Sequence, residues 1–89
     1  MKKKLNQSEE KCFQVLYDEY ENEYILTFKT IANEADFTLL QTKRAVRALV
    51  RQGLVKRETA FDEDGIIRGS GFIMTYEAYR DKFNSEQHP

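Results

Sequence analysis

The stretch from Leu26 to Val55 reads LTFKTIANEADFTLLQTKRAVRALVRQGLV, and two helices joined by a tight turn account for it. Thr27 offers a hydroxyl to cap a short helix through Ala35, with Phe28, Ile31, Ala32 and Ala35 facing inward. Asp36-Phe37 then interrupts the helical period. Thr38-Leu39-Leu40-Gln41 has capping-box form, a hydroxyl at the cap and Gln three residues on, which predicts a second helix from there to Gln52. Thr42, Val46, Leu49 and Val50 form its expected buried stripe. Gly53 stands where a left-handed residue stops a helix.

Working towards the N-terminus, Tyr24-Ile25-Leu26 is β-prone and long enough for a minor strand only. Before it, Phe13, Leu16, Tyr17 and Tyr20 fall at i, i+3, i+4 and i+7, which predicts a helix over about 8–22 with Ser8 as its cap and Glu9 and Glu10 in its first turn. Towards the C-terminus, Leu54 to Phe61 reads as a strand and Gly71 to Met74 as its partner. Residues 62–70 between them are expected to form a long hairpin connection with turn residues at both ends. Thr75 caps a last short helix from Tyr76 to about Phe83. Helix, short strand, helix, turn, helix, strand, turn, strand, helix is the layout of a winged helix-turn-helix, an α+β fold with a three-helix core, a β-wing of two or three strands and a short C-terminal helix. The expected division is a flexible basic N-terminus over 1–7, one winged helix-turn-helix domain over 8–83 and a disordered tail over 84–89.

The bulk composition fits one small domain. In 89 residues, 40% are hydrophobic and 33% charged, with a single proline, so a compact core is feasible and a disordered chain is not expected. Cys12 is the only cysteine, which excludes an intrachain disulfide and a cysteine zinc site, and points to a reducing, cytoplasmic setting. Met1-Lys2-Lys3-Lys4 begins like a signal peptide, but the polar run from Asn6 to Glu10 stands where an apolar run would be needed. No membrane span is expected.

Net charge is −1, yet the charge is sorted along the chain. Residues 1–37 carry five bases and eight acids, and residues 58–89 carry three bases and seven acids. Between them, residues 38–57 carry Lys43, Arg44, Arg47, Arg51, Lys56 and Arg57 and no acid. A helix exposed for solubility alone would mix signs.

The run from Leu26 to Thr38 resembles the first half of the helix-turn-helix in MarR-like regulators. Val46, Leu49 and Gly53-Leu54-Val55 keep that family's apolar spacing before a helix stop, and Met74-Thr75-Tyr76-Glu77-Ala78 is similar to the step by which such wings lead into a closing helix. The likeness covers about residues 24–80. The basic core followed by an acidic Asp-Gly turn and Gly69-Ser70-Gly71 also resembles small phage and prophage proteins. Asp36 departs from the glycine common at the turn, and Asp tolerates the left-handed conformation better than most residues.

In this layout the helix over about 38–52 enters the major groove of duplex DNA. Its outward residues would include Leu39, Leu40, Lys43, Arg44, Arg47 and Arg51. Lys43, Arg47 and Arg51 are expected to anchor on phosphates, with Arg44 and Lys43 near base edges. Thr27, Lys29 and Thr38 would touch flanking backbone at helix starts, Arg68 would serve from the wing, and Lys2, Lys3 and Lys4 would add a basic arm. Two features favour an alternative, a phage-type interaction module or inhibitor of a host nucleic-acid machine. Leu39 and Leu40 stand where regulators usually carry polar residues, and the wing carries Asp62, Glu63 and Asp64. A protein partner would then be gripped through Leu39 and Leu40, with acidic surface imitating phosphate.

No nucleophile is paired with a base, so no enzyme is expected, and no cofactor or metal site. Cys12 reads as a core-edge residue, and His88 is the only histidine. Asp62-Glu63-Asp64-Gly65 lacks the alternating ligands of a calcium loop. A monomer or weak homodimer is expected, with Tyr17, Tyr20 and Tyr24 of the first helix as the modest interface.

Overall fold

A computed structural model describes residues 4–87, with the side chain of Arg68 excepted. Six elements follow one another: α1 (Gln7–Tyr20), α2 (Phe28–Ala35), α3 (Leu39–Arg51), β1 (Val55–Phe61), β2 (Ile67–Met74) and α4 (Tyr76–Gln87). The winged helix-turn-helix layout expected from the sequence is the one the chain adopts.

Local chemistry sets most boundaries. Thr27 accepts from the Thr30 N–H at 3.2 Å and starts α2. Asp36 then takes φ 59° and ψ 45°, and the Phe37 N–H returns to the Ala32 carbonyl at 3.0 Å, which closes the helix and turns the chain. At the start of α3 the Thr38 hydroxyl accepts from the Gln41 N–H at 3.1 Å, while the Thr38 N–H donates to the Gln41 side chain at 3.0 Å. Both halves of the box are present. Gly53, at φ +76°, ends α3 in a Schellman arrangement: its N–H reaches Val50 and the Leu54 N–H reaches Leu49, each at 3.0 Å.

The start of α1 differs from the expectation. Asn6 is the cap in place of Ser8, because its side chain accepts from the Glu9 N–H at 2.8 Å and Glu9 reaches back to the Asn6 N–H at 3.2 Å. The helix also ends at Tyr20, two residues short of the predicted 22, where Glu23 turns the chain at φ 59°. Val50 is a second correction. It is 37% exposed, while Ala45 and Ala48 are buried beside Thr42, Val46 and Leu49. On the helix those two small side chains lie on the flank away from Val50, so the buried stripe is rotated away from Val50.

The core collects Cys12 and Leu16 from α1, Ile31 from α2, Val46 and Leu49 from α3, Val55, Phe72 and Met74 from the wing, and Ala78 from α4. Burial pushes the Cys12 thiol from 9.0 up to about 11. Only the thiolate attacks alkylating reagents, so at about pH 8 iodoacetamide is expected to label Cys12 about 100-fold more slowly than a free cysteine. Mass spectrometry over time checks this, and labelling at the free rate would place Cys12 outside the core.

β1 and β2 pair antiparallel from Val55 opposite Met74 out to Phe61 opposite Ile67. The connection is therefore much shorter than the expected 62–70. The Asp62 carboxylate accepts from the Asp64 and Ile66 N–H groups, both at 2.9 Å, and Gly65 takes φ +79°, which folds residues 62–66 into a tight loop. Ala60 pairs with Gly69 and Phe61 with Ile67, so Arg68 is the extra residue of a bulge.

The minor strand expected at 24–26 contributes one bridge. Leu26 and Phe72 exchange N–H···O bonds at 2.9 and 2.8 Å. Gly71 permits it, since a Cβ there would lie 2.7 Å from both the Ile25 Cγ2 and the Leu26 carbonyl oxygen. Gly71→Ala is expected to lower stability by about 1–3 kcal/mol. Thermal unfolding tests it, and an unchanged midpoint would mean the bridge yields without cost.

The last helix also runs further than predicted, to Gln87 rather than about Phe83, so residues 84–87 are helical where a disordered tail is expected. Tyr79 stacks on Tyr20 at 4.1 Å and on Tyr17 at 5.3 Å, and the Tyr17 hydroxyl donates to Glu86 at 3.0 Å. Tyr79 donates to Glu21 at 2.6 Å, and that carboxylate together with burial pushes its phenol up to about 12. Tyr17 and Tyr20, expected to offer an interface between copies, are thus occupied by α4 of their own chain. Among the described residues, no helix is long and apolar enough to cross a membrane, and no cluster of three or more metal-ligating side chains occurs.

Candidate nucleic-acid interface

On a helix, residues four and seven apart share a face. Leu40, Arg44, Arg47 and Arg51 therefore form the outward ridge of α3, opposite the buried Thr42, Val46 and Leu49. Leu39, Lys43 and Val50 form the flank towards α2. Leu40 is 58% and Leu39 46% exposed, so both leucines face solvent at the start of the helix. The helix contains no acid, and among the described residues no ion pair reaches Lys43, Arg44, Arg47 or Arg51. Arg51 in the last turn also suits the negative end of the helix dipole.

Phe28 gives this surface its support. Its ring leans on Phe72 at 4.7 Å, and the Lys43 ammonium and Arg47 guanidinium lie 5.9 and 5.8 Å from its centre. The ring joins the core on one side and carries two cations on the other, restricting where they point at little cost in hydration. Read from the sequence, Phe28 is a core residue only; the i to i+4 spacing of Lys43 and Arg47 held the signal, but pairing them with a ring of another helix required the fold. Arg44 lies on the other flank, in a groove lined by Gln41 of α3 and by Asn6, Ser8 and Glu9 at the start of α1.

Thr27, Lys29 and Thr38 are exposed at the starts of α2 and α3. Both threonine hydroxyls are engaged as caps, and Thr27 also donates to the Thr30 hydroxyl at 3.1 Å. Lys29 is free of such work. Arg68 is placed by its backbone in the wing bulge, while its side chain, Lys2, Lys3 and His88 lie outside the described residues. Sequence reasoning passed over Arg57, which donates to the Ser70 hydroxyl at 3.3 Å on the face of the wing that also carries Val55 and Phe72. Strand alternation from Val55 was the available sign. Lys56, on the opposite face, pairs with Glu58 at 3.6 Å.

A three-helix core whose third helix presents a basic ridge, followed by a hairpin and a closing helix, defines a winged helix-turn-helix domain. No family profile and no curated protein matches the chain in sequence. Among solved structures it is similar to a variant of Lactococcus lactis ZitR, with TM-score 0.71 and 21% identity over 97% of this chain and 53% of that one. It is similar also to S. aureus MepR in a MepR–DNA complex, with TM-score 0.67 and 20% identity over 91% of this chain and 63% of that one. A protein of Ralstonia eutropha matches with TM-score 0.65 and 18% identity over 97% of this chain and 100% of its own. At these identities the likeness establishes the fold. The chain spans about half the length of ZitR and about three-fifths that of MepR.

Proposed function

We propose that this chain binds duplex DNA and acts as a regulator by occupying a site or excluding another factor from it. One observation carries the reading: α3 presents Arg44, Arg47, Arg51 and Lys43 on its solvent side with no acid on the helix and no ion pair to a described residue. Four cations so placed release counterions on meeting phosphate, and an arginine fork reads guanine in the major groove. Lys43 and Arg47, held over Phe28, and Arg51 anchor the backbone. Arg44 reaches base edges, and Lys29 with the start of α2 contacts the flanking phosphate. The likeness in fold to a protein solved on DNA supports the same reading.

Fluorescence anisotropy with a mixed-sequence labelled duplex at about 50 and about 200 mM salt tests it. Neutralising about two or more phosphates makes affinity fall roughly tenfold or more across that range. Absence of binding at tens of micromolar protein in the lower salt would overturn the reading.

The exposure of Leu39 and Leu40 favours a second reading, in which the same fold grips a protein in the manner of a phage-type inhibitor. The leucines, not the arginines, would then control capture.

A further inference from the structure

The far end of the wing exposes apolar side chains to solvent. Phe61 and Ile67 stand opposite each other in the ladder, 60% and 65% exposed, and Ile66 beside them is 57% exposed. They lie beyond the core, and the turn itself is made by Asp62 and Gly65. Around them the chain from Glu58 to Ile67 holds Glu58, Asp62, Glu63 and Asp64 and no base, with Arg68 the first cation after it. Carboxylates at the tip disfavour a phosphate backbone. An apolar centre with an acidic rim fits an apolar centre with a basic rim.

One surface of that description is already on this molecule. The outward side of α3 sets the exposed Leu39 and Leu40 beside Lys43, Arg44 and Arg47. We propose that the wing tip of one copy docks on the α3 face of a second copy, Phe61, Ile66 and Ile67 meeting Leu39 and Leu40, with Glu63 and Asp64 facing Arg44 and Arg47. A two-fold arrangement satisfies both tips and both helices at once and closes as a dimer. The dimer hides the ridge assigned above to DNA, so duplex and second copy compete for it. Self-association itself requires nothing of the DNA reading.

Sedimentation of the full chain without DNA, at about 50 and about 300 mM salt, tests the proposal, because an exposed charged rim is screened over that range. A dimer is expected in the lower salt and a shift towards monomer in the higher. Phe61→Ser with Ile67→Ser should weaken it about tenfold or more. Both residues are exposed, and thermal unfolding confirms that the variant folds. Glu63→Arg with Asp64→Arg should also weaken the dimer, and adding Arg44→Glu with Arg47→Glu should restore it. A monomer in both salts overturns the proposal. So does a dimer indifferent to the wing variants, which would place the contact elsewhere, or a charge exchange that fails to restore it. Because DNA is absent from this experiment and present in the anisotropy titration, failure of either reading is seen separately.

Discussion

Arg44→Ala combined with Arg47→Ala is expected to weaken duplex binding about 100-fold and to flatten its salt dependence by about one unit of slope for each phosphate that is no longer neutralised. The two side chains stand on the outward ridge of α3, Arg44 leaning to the start of α1 and Arg47 to the Phe28 ring, so their removal takes charge from both sides of the surface. Both are exposed, and their replacement should move unfolding free energy by no more than about 0.5 kcal/mol each, which separates a binding effect from a folding one. Leu39→Ser with Leu40→Ser is the contrasting change. It should leave the salt slope as it was, since no cation is removed. Unchanged affinity in the arginine variant would place the DNA surface elsewhere. Loss of duplex binding in the leucine variant alone would place Leu39 and Leu40 in the DNA surface and count against the protein-gripping reading.

Leu49→Ala should be among the most damaging single changes to the fold, at about 2–5 kcal/mol. Leu49 is fully buried with Leu16, Ile31 and Val46, where all three core helices meet, and truncation leaves a cavity that none of them can fill without moving. A domain of this size has only about 4–13 kcal/mol in total, and each kcal/mol shifts the melting point by about 4–8 °C, so a fall of about 10 °C or more is expected. Val50→Ala, next along the same helix, removes a similar side chain from a position 37% exposed and should cost less than about 1 kcal/mol. Thermal and urea unfolding of the pair decides the register of α3. Equal effects, or a larger one at Val50, would show that the helix buries a different stripe.

The boundaries around the helix-turn-helix were legible because each rests on contacts within a few residues. A hydroxyl reaching an N–H three positions on marks Thr27 and Thr38, and a left-handed residue closes α3 at Gly53. Asn6 had the same kind of signal, in Glu9 three residues later, and Ser8 masked it. The cationic stretch from 38 to 57 was equally open to reading, since its sorted charge is a property of the chain. Length of the wing was not. Whether residues 67–70 pair or loop depends on an Asx turn at Asp62 and a bulge at Arg68, and pattern alone weighs neither against the glycines.

By itself, then, the chain determined where the two helices of the helix-turn-helix start and stop, that a hairpin follows them, and that the third helix is basic. Those are matters of local hydrogen bonding, side-chain period and charge. Only tertiary packing decided which side of α3 is buried, placing Ala45 and Ala48 inside and Val50 outside. Packing likewise extended α4 to Gln87 on the tyrosines of α1, and set Phe28 beneath Lys43 and Arg47. Each of these depends on a partner distant in sequence, and no local period records where that partner will lie.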